Sequence, residues 1–513
     1  MQNTRFARFG MVCSVDHLAT GAGIAMLDRG GSAADAAIAT NAVLTVTAPH
    51  MCGLGGDLFA LVHDGEVSAL NASGRAGSGA DPGRLRAEGH TRMPHHDDIR
   101  SVPVPGCVDG WATLHARYGR LPLDLVLAPA IRLAEDGFPV SPLLAPGAQA
   151  VAALPGGSDF EGVRAAGDLM RRPGVARALR AVAGKGRDGF YLGEFGEGLL
   201  ELGAGEYTRD DLERPAADWV EPLRVRAFGH DVWSTPANTQ GYLLLLSLGI
   251  LDGLRLPAST ERSAWAHLLA EAARAAGYDR LDLLHEDADG LVTDEEIARR
   301  RAMIDPAGRM RVPSRTADGD TTYLCAVDGD GMGVSLIQSN AAGFGSMLFE
   351  PRTGINLHNR GIGFSLTPGH PAEYGPGRRP PHTLAPALIT RPDGSLRSVV
   401  GTMGGDAQPQ ILLQVITRLL GYGESPGAAI AAPRWRLSGG ETGFDTWQTP
   451  AETVVEVEAG TRWADGLAAL GHPVAERPYG GGFGHAHLID VRADGVLAGA
   501  ADPRSQIGAA LGR

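Results

Sequence analysis

Two hydroxyls and two glycines in this chain are spaced for acyl-transfer chemistry. Thr321 to Asp328 reads as a strand, Asp328-Gly-Asp-Gly331 as a hairpin turn, and Met332 to Ser339 as the return strand. With the turn centred on residue 330, antiparallel pairing sets Thr321 opposite Ser339. Such Thr–Ser pairs also occur as plain sheet decoration. A second feature adds weight: the strand Ser395 to Gly401 runs into Met403-Gly-Gly-Asp406 and a helix from about Gln408 to Leu420. Backbone N–H groups of such a turn converge, and a helix N-terminus is electropositive. Gly404 and Gly405 could therefore hold the oxyanion of a tetrahedral intermediate, with Asp406 as helix cap or substrate contact. A tight turn needing positive φ would use the same glycines.

The elements that must position these groups come from both halves of the chain. The spacing predicts a helix from His17 to Arg29 that stops at Gly30-Gly31, and a second, capped by Ser32, to about Val46. Leu58 to Val62 and Val67 to Leu70 read as a hairpin around Asp64-Gly65-Glu66. Val102 to Glu135 and Leu143 to Gly186 read as helical with breaks, and Glu261 to Arg280 as a helix capped by Thr260. Residues 281–319 are polar and turn-rich and predict an accessible, flexible segment. Strands alternate with long helices in both halves, which predicts an α+β fold with helices covering buried sheets.

Composition excludes several functions. The chain has 513 residues, 43% of them hydrophobic, so it can bury a large core. Its net charge of −13 and lack of a basic stripe argue against nucleic acid. Lys185 is the only lysine, and Gly186 follows it where a phosphate loop needs Ser or Thr. Pyridoxal, Schiff-base and P-loop chemistry are thereby disfavoured. Cys13, Cys52, Cys107 and Cys325 are scattered and read as reduced core thiols. No apolar run long enough for a signal or a membrane span appears, which predicts a cytoplasmic protein that does not enter membranes. His485 and His487 share a strand face without a third ligand, so no metal and no cofactor are expected. His95-His96-Asp97-Asp98 reads as a solvated loop that could reach a cleft, and Gly53-Leu-Gly-Gly56 precedes a strand and so lacks phosphate-cradle geometry.

Taken in order, these segments resemble the γ-glutamyltranspeptidase family. The resemblance rests on Asp320-Thr-Thr-Tyr-Leu-Cys-Ala-Val-Asp-Gly-Asp-Gly331, Gly343-Phe-Gly-Ser346, Gly354-Ile-Asn-Leu357 and Gly404-Gly405. Gly53-Leu-Gly-Gly-Asp-Leu-Phe59, Val104-Pro-Gly106, Leu133-Ala-Glu-Asp-Gly-Phe138 and Tyr207-Thr-Arg-Asp-Asp-Leu212 extend it over nearly the whole chain. It implies a self-cleaving N-terminal-nucleophile hydrolase with a four-layer αββα sandwich. Cleavage between Asp320 and Thr321 would give subunits 1–320 and 321–513 that remain one intertwined domain, with a dimer of such heterodimers as a further expectation. Thr321 would be the nucleophile, its freed α-amine the base, Ser339 the hydroxyl bonded to it, and Gly404 and Gly405 the oxyanion hole.

The departures concern substrate. Glutathione-using members hold an α-carboxylate with an arginine and two serines, and an α-ammonium with an aspartate. Here the serine pair is replaced by His382-Thr383, the aspartate by Gly363, a nearby polar position reads Arg360, and the arginine is offset to Arg75. Losing an acid and gaining an arginine disfavours an ammonium and favours a carboxylate. The pattern is similar to the acylase and oxamate-amidohydrolase branch: a small amide whose oxamate- or glutaryl-like acyl group bears a carboxylate but no α-amine. True γ-glutamyl transfer, with its place in glutathione metabolism, carbon–carbon bond cleavage as in antibiotic-pathway homologues, and an uncleaved scaffold remain alternatives.

Overall fold

The structure is a computed structural model that describes residues 4–311, 320–439 and 446–513, with Asp320 and Thr321 described by backbone alone. The remainder of the 281–319 segment, from residue 312, and the side chains at the expected scissile junction lie outside the described residues.

Two seven-stranded antiparallel sheets form the centre. One runs in the order Arg5–Ala7, Leu497–Ala501, Ala486–Val491, Leu396–Thr402, Ala387–Thr390, His230–Ser234, Leu223–Ala227. The other runs Ala509–Gly512, Gly10–Ser14, Asp320–Asp328, Gly333–Ala341, Asp57–His63, Val67–Ala72, Asp218–Val220. Both sheets draw strands from both sides of residue 320, so neither expected subunit could complete a sheet alone.

The strand period of two sorts side chains into layers. In the second sheet Leu58, Ala60, Leu324, Ala326, Val334 and Leu336 join a core shared with the helices His17–Asp28, Ala33–Thr47 and Leu123–Asp136. Their neighbours Phe59, Leu61, Tyr323, Cys325 and Ile337 instead meet Leu388, Val399 and Ile489 of the first sheet. The outer face of the first sheet, including Val232, Ile389, Val400 and Leu488, packs on Gly241–Asp252, Ser263–Gly277 and Gln408–Ile416. Helix, sheet, sheet, helix is the expected αββα order. Strands buried on both faces explain why the Asp57–His63 strand is apolar throughout its middle.

Local chemistry sets the helix ends. Ser32 accepts from the Asp35 N–H at 3.1 Å while the Asp35 carboxylate accepts from the Ser32 N–H at 2.9 Å, a capping box. The expected cap Thr260 does not serve: the helix begins at Ser263, and the Thr260 hydroxyl instead accepts from Arg418 at 2.9 Å. The polar segment after residue 280 is partly helical, at Arg280–Leu283 and Asp294–Arg301. The second of these has Thr293 as cap, acids in its first turn and arginines in its last, which suits the helix dipole. Among the described residues, no helix is long and apolar enough to cross a membrane.

Candidate active site

The central hairpin has the expected register from Thr322 onward, but the expected pairing of Thr321 with Ser339 is not among its partners. Thr322 pairs with Gln338, Leu324 with Leu336 and Val327 with Gly333; the register shifts between Asp320 and Thr322, where Asp320 pairs with Ala341. Ala341 takes φ 71, a left-handed conformation that non-glycine residues seldom adopt, at the end of the return strand. Its N–H donates to Ser339 Oγ at 2.8 Å. On its other side Ser339 pairs with Asp57, the first residue of the neighbouring strand.

A buried polar network grows from this pair. Arg360, in a short 3-10 turn at Arg360–Gly363, donates from Nε to Asp57 Oδ2 at 3.0 Å. Its Nη1 donates to Thr383 Oγ1 at 3.0 Å and its Nη2 to Ser339 Oγ at 3.1 Å. His382 Nε2 lies 3.0 Å and His358 Nδ1 3.6 Å from the same Asp57 oxygen, and His358 Nε2 sits 2.9 Å from the Pro103 carbonyl. All of these side chains are buried. Burial would raise the Asp57 carboxyl, but His382 and the Arg360 guanidinium outweigh it and hold the group well below the usual carboxylate range. Burial first, and the Arg360 charge second, push the His382 imidazole down to about 3, so it is neutral near pH 7. The charge that balances Asp57 at neutral pH is therefore that of Arg360.

The glycine pair has the geometry of an oxyanion turn. Gly404 has φ 136 and Gly405 φ 55, conformations suited to glycine. Among the described residues, no acceptor takes either backbone N–H. Gln240 ties the turn to the network: its Nε2 donates to the Gly405 carbonyl at 3.0 Å and to the Thr383 carbonyl at 2.6 Å. Asp406 does not cap the following helix, whose start is a 3-10 turn at Gly405–Ala407. Its carboxylate instead stands 3.8 Å from Arg280 Nη2.

Arg360, Thr383 and Asp406 line one cavity of about 330 Å³, with Arg280, Arg92 and the apolar Leu284, Ile362 and Phe364 among its other walls. Arg280 is 4% exposed, and its Nε has no hydrogen-bond partner. Arg360 is balanced by Asp57, so the cations left to this space are Arg280, beside Asp406, and Arg92 on the wall. Gly363 also lines it, and a Cβ there would fall 2.4 Å from the Pro381 carbonyl oxygen. The backbone thus leaves no room for a side chain at the position where the resemblance sets an aspartate.

Of the expected site residues, Ser339, Arg360, His382, Thr383, Gly404, Gly405 and Asp406 come together. Arg75 does not: it bonds the Gly377 carbonyl at 3.1 Å, faces Glu286 and Asp218 at 3.5 Å, and lines a separate cavity with Val104 and Arg214. Arg360 comes to the cavity with its guanidinium committed to three protein oxygens, which leaves Arg280 as the less engaged cation. From the His95–Asp98 loop only the preceding Thr91 and Arg92 reach the cavity, while Asp98 chelates Arg100. His485 and His487 are neutral, pushed down by burial to about 4 and about 3. A different trio has ligand spacing, His267, Glu271 and His472, but Glu271 already accepts from Arg274 at 2.6 Å and the two imidazoles bond each other at 2.8 Å.

Asp57, Arg280 and Gln240 were not expected. Asp57 stood in a glycine-rich motif, and its signal was an acid entering an otherwise apolar strand. Arg280 closed a predicted helix and carried no signal of its partner Asp406.

Comparison with known proteins agrees with this architecture. The family model described as "Gamma-glutamyltranspeptidase" matches residues 19–512. The glutathione hydrolase-like YwrD proenzyme of Bacillus subtilis is 35% identical, over 98% of both chains. The oxamate amidohydrolase proenzyme of Klebsiella pneumoniae is 35% identical over 100% of both. The crystal structure of cephalosporin acylase from Bacillus halodurans superposes with a TM-score of 0.89 at 34% identity, covering 100% of this chain and 97% of that one.

Proposed function

From the premise that the chain belongs to the γ-glutamyltranspeptidase family, we propose that it is a proenzyme that cuts itself between Asp320 and Thr321 and then hydrolyses amides whose acyl group ends in a carboxylate. The subunits would be residues 1–320 and 321–513. The observation that carries the substrate reading is the cavity lined by the buried Arg280, whose Nε has no hydrogen-bond partner, with Arg92 on the same wall.

In the precursor the Thr321 hydroxyl attacks the Asp320 carbonyl carbon, the Asp320–Thr321 C–N bond breaks, and an ester forms. The broken bond frees the Thr321 α-amino group, and water then cleaves the ester, releasing the Asp320 carboxylate and restoring the Thr321 hydroxyl. That amine, with an ordinary pKa of about 7.7–8.0, takes the hydroxyl proton as Thr321 attacks a substrate amide. The Gly404 and Gly405 N–H groups receive the developing oxyanion. The amine leaves with the proton, and water releases the acyl group by the same steps.

Arg280 supports an anionic acyl terminus, since a guanidinium pairs a carboxylate bidentately. Closure of the Gly363 position supports the lack of a dedicated ammonium partner there. The name of one relative, an oxamate amidohydrolase, supports an acyl group of this kind. A second reading, γ-glutamyl transfer, draws on Asp406, a carboxylate in the cavity that could take an α-ammonium; Arg280 competes for it at 3.8 Å. The test is direct: hydrolysis of oxamate, glutaryl and γ-glutamyl amides by the mature protein. A preference for γ-glutamyl amides over the α-amine-free ones would replace the first reading by the second.

A further inference from the structure

Ser339 Oγ accepts twice, from the Ala341 N–H at 2.8 Å and from Arg360 Nη2 at 3.1 Å. A hydroxyl has two lone pairs and one proton. With both lone pairs taken by protein donors, the proton of Ser339 can only be given away. Neither Arg360, which has donors alone, nor the Ala341 N–H can accept that proton.

Arg360 cannot easily turn from this duty. Its Nε is held by Asp57 at 3.0 Å and its Nη1 by Thr383 at 3.0 Å, so the planar fork has one orientation. Asp57 is set in turn by the sheet, directly across from Ser339. His382 and His358 crowd the same Asp57 oxygen. The strand carrying Thr321 lies on the other side of Ser339's strand, with Thr322 paired to Gln338.

We infer that Arg360, aligned by Asp57, is a positioning residue that makes Ser339 an obligate hydrogen-bond donor toward the Thr321 oxygen. A donor there stabilises negative charge as that oxygen loses its proton; the Ser339 proton is shared and not transferred. An acceptor orientation of Ser339 would instead hold the nucleophile's proton in place. The inference rests on the reading of Thr321 as nucleophile, and it moves Arg360 from substrate recognition to catalysis by way of Ser339.

The test is a double-mutant cycle in the full chain with Ser339→Ala, Arg360→Lys and both together. Arg360→Lys keeps the charge opposite Asp57 and loses the fork that spans Asp57, Thr383 and Ser339. The readouts are the rate of self-cleavage, and kcat and KM on the best of the three amide classes. Each single variant is expected to lower kcat and the cleavage rate by about tenfold or more with KM within about threefold. The double variant is expected to be no slower than Ser339→Ala alone. Losses that multiply, or a raised KM at unchanged kcat in Arg360→Lys, would overturn the inference while leaving the Thr321 reading intact. A wild-type chain that neither cuts itself nor hydrolyses any of these amides removes both. If Arg360→Lys melts early, Asp57→Asn with Arg360→Gln removes both buried charges and keeps an N–H donor for Ser339; a kcat above that of Ser339→Ala is expected, and one at or below it overturns the inference.

Discussion

Asp57 and Ser339 stand directly opposite each other on adjacent antiparallel strands, and a single buried guanidinium, that of Arg360, bonds both. The sheet register therefore decides the chemistry of the hydroxyl. One residue of slip in the Asp57–His63 strand would turn the carboxylate to the opposite face.

Removing the acid should be costly to the fold. Asp57→Asn leaves the Arg360 guanidinium buried without its counter-charge, which typically costs about 3–5 kcal/mol. Urea unfolding should show a lowered midpoint with an unchanged slope. A variant as stable as the parent would mean that Arg360 finds another anion or leaves the interior.

Recognition of the acyl terminus should run through Arg280. Arg280→Gln is expected to raise KM for a glutaryl or oxamate amide by about tenfold, roughly 1.4 kcal/mol, and to spare an uncharged acyl amide. Steady-state kinetics on matched charged and neutral substrates measure this. Equal losses on both would take Arg280 out of substrate binding.

The oxyanion turn should not tolerate a side chain at its first glycine. Gly404 has φ 136, so Gly404→Ala strains the backbone and shifts the N–H donors. A loss of about tenfold or more in kcat and in the self-cleavage rate is expected, with KM less affected. Unchanged rates would place the oxyanion elsewhere.

Stability should fall with acid well before the carboxylates titrate. Burial pushes the imidazoles of His50, His382 and His487 down to about 3, against an ordinary value near 6.5. Below about pH 6.5 the unfolded chain takes up these protons and the folded chain does not until about pH 3. Each such histidine therefore costs about 1.4 kcal/mol per pH unit across that window. Asp57 adds a loss of the same sign at lower pH, because its folded value is depressed. Melting temperatures from pH 7.5 to 4.5 should decline steadily below about 6.5; a flat profile to pH 5 would show that these histidines protonate in the folded state.

What the sequence made legible was whatever is decided locally. The turn at Asp328–Gly331 sets the hairpin register, so the pairing of Thr322 with Gln338 followed from counting. Ser32 and Asp35 spell a capping box over four residues, and Gly404-Gly405 announces a turn that only glycine makes. The layer order was implied by the family resemblance, because no short run states which sheet faces which. Long-range polar partners stayed hidden. Asp57 and Arg360 are 303 positions apart, and neither carries a mark of the other. Arg360 reads in the sequence as a cation that favours a substrate carboxylate, because its charge is visible and its three acceptors are not. Thr260 resembled a cap, yet tertiary packing gave its hydroxyl to Arg418.

The account stands on Thr321 becoming an N-terminus. The most direct measurement is intact mass and N-terminal sequencing of the purified chain beside its Thr321→Ala variant. The account predicts two fragments, one beginning at Thr321, that stay associated, and a single uncut chain of 53.5 kDa in the variant. One uncut chain in both samples, or a cut at another bond, would contradict it.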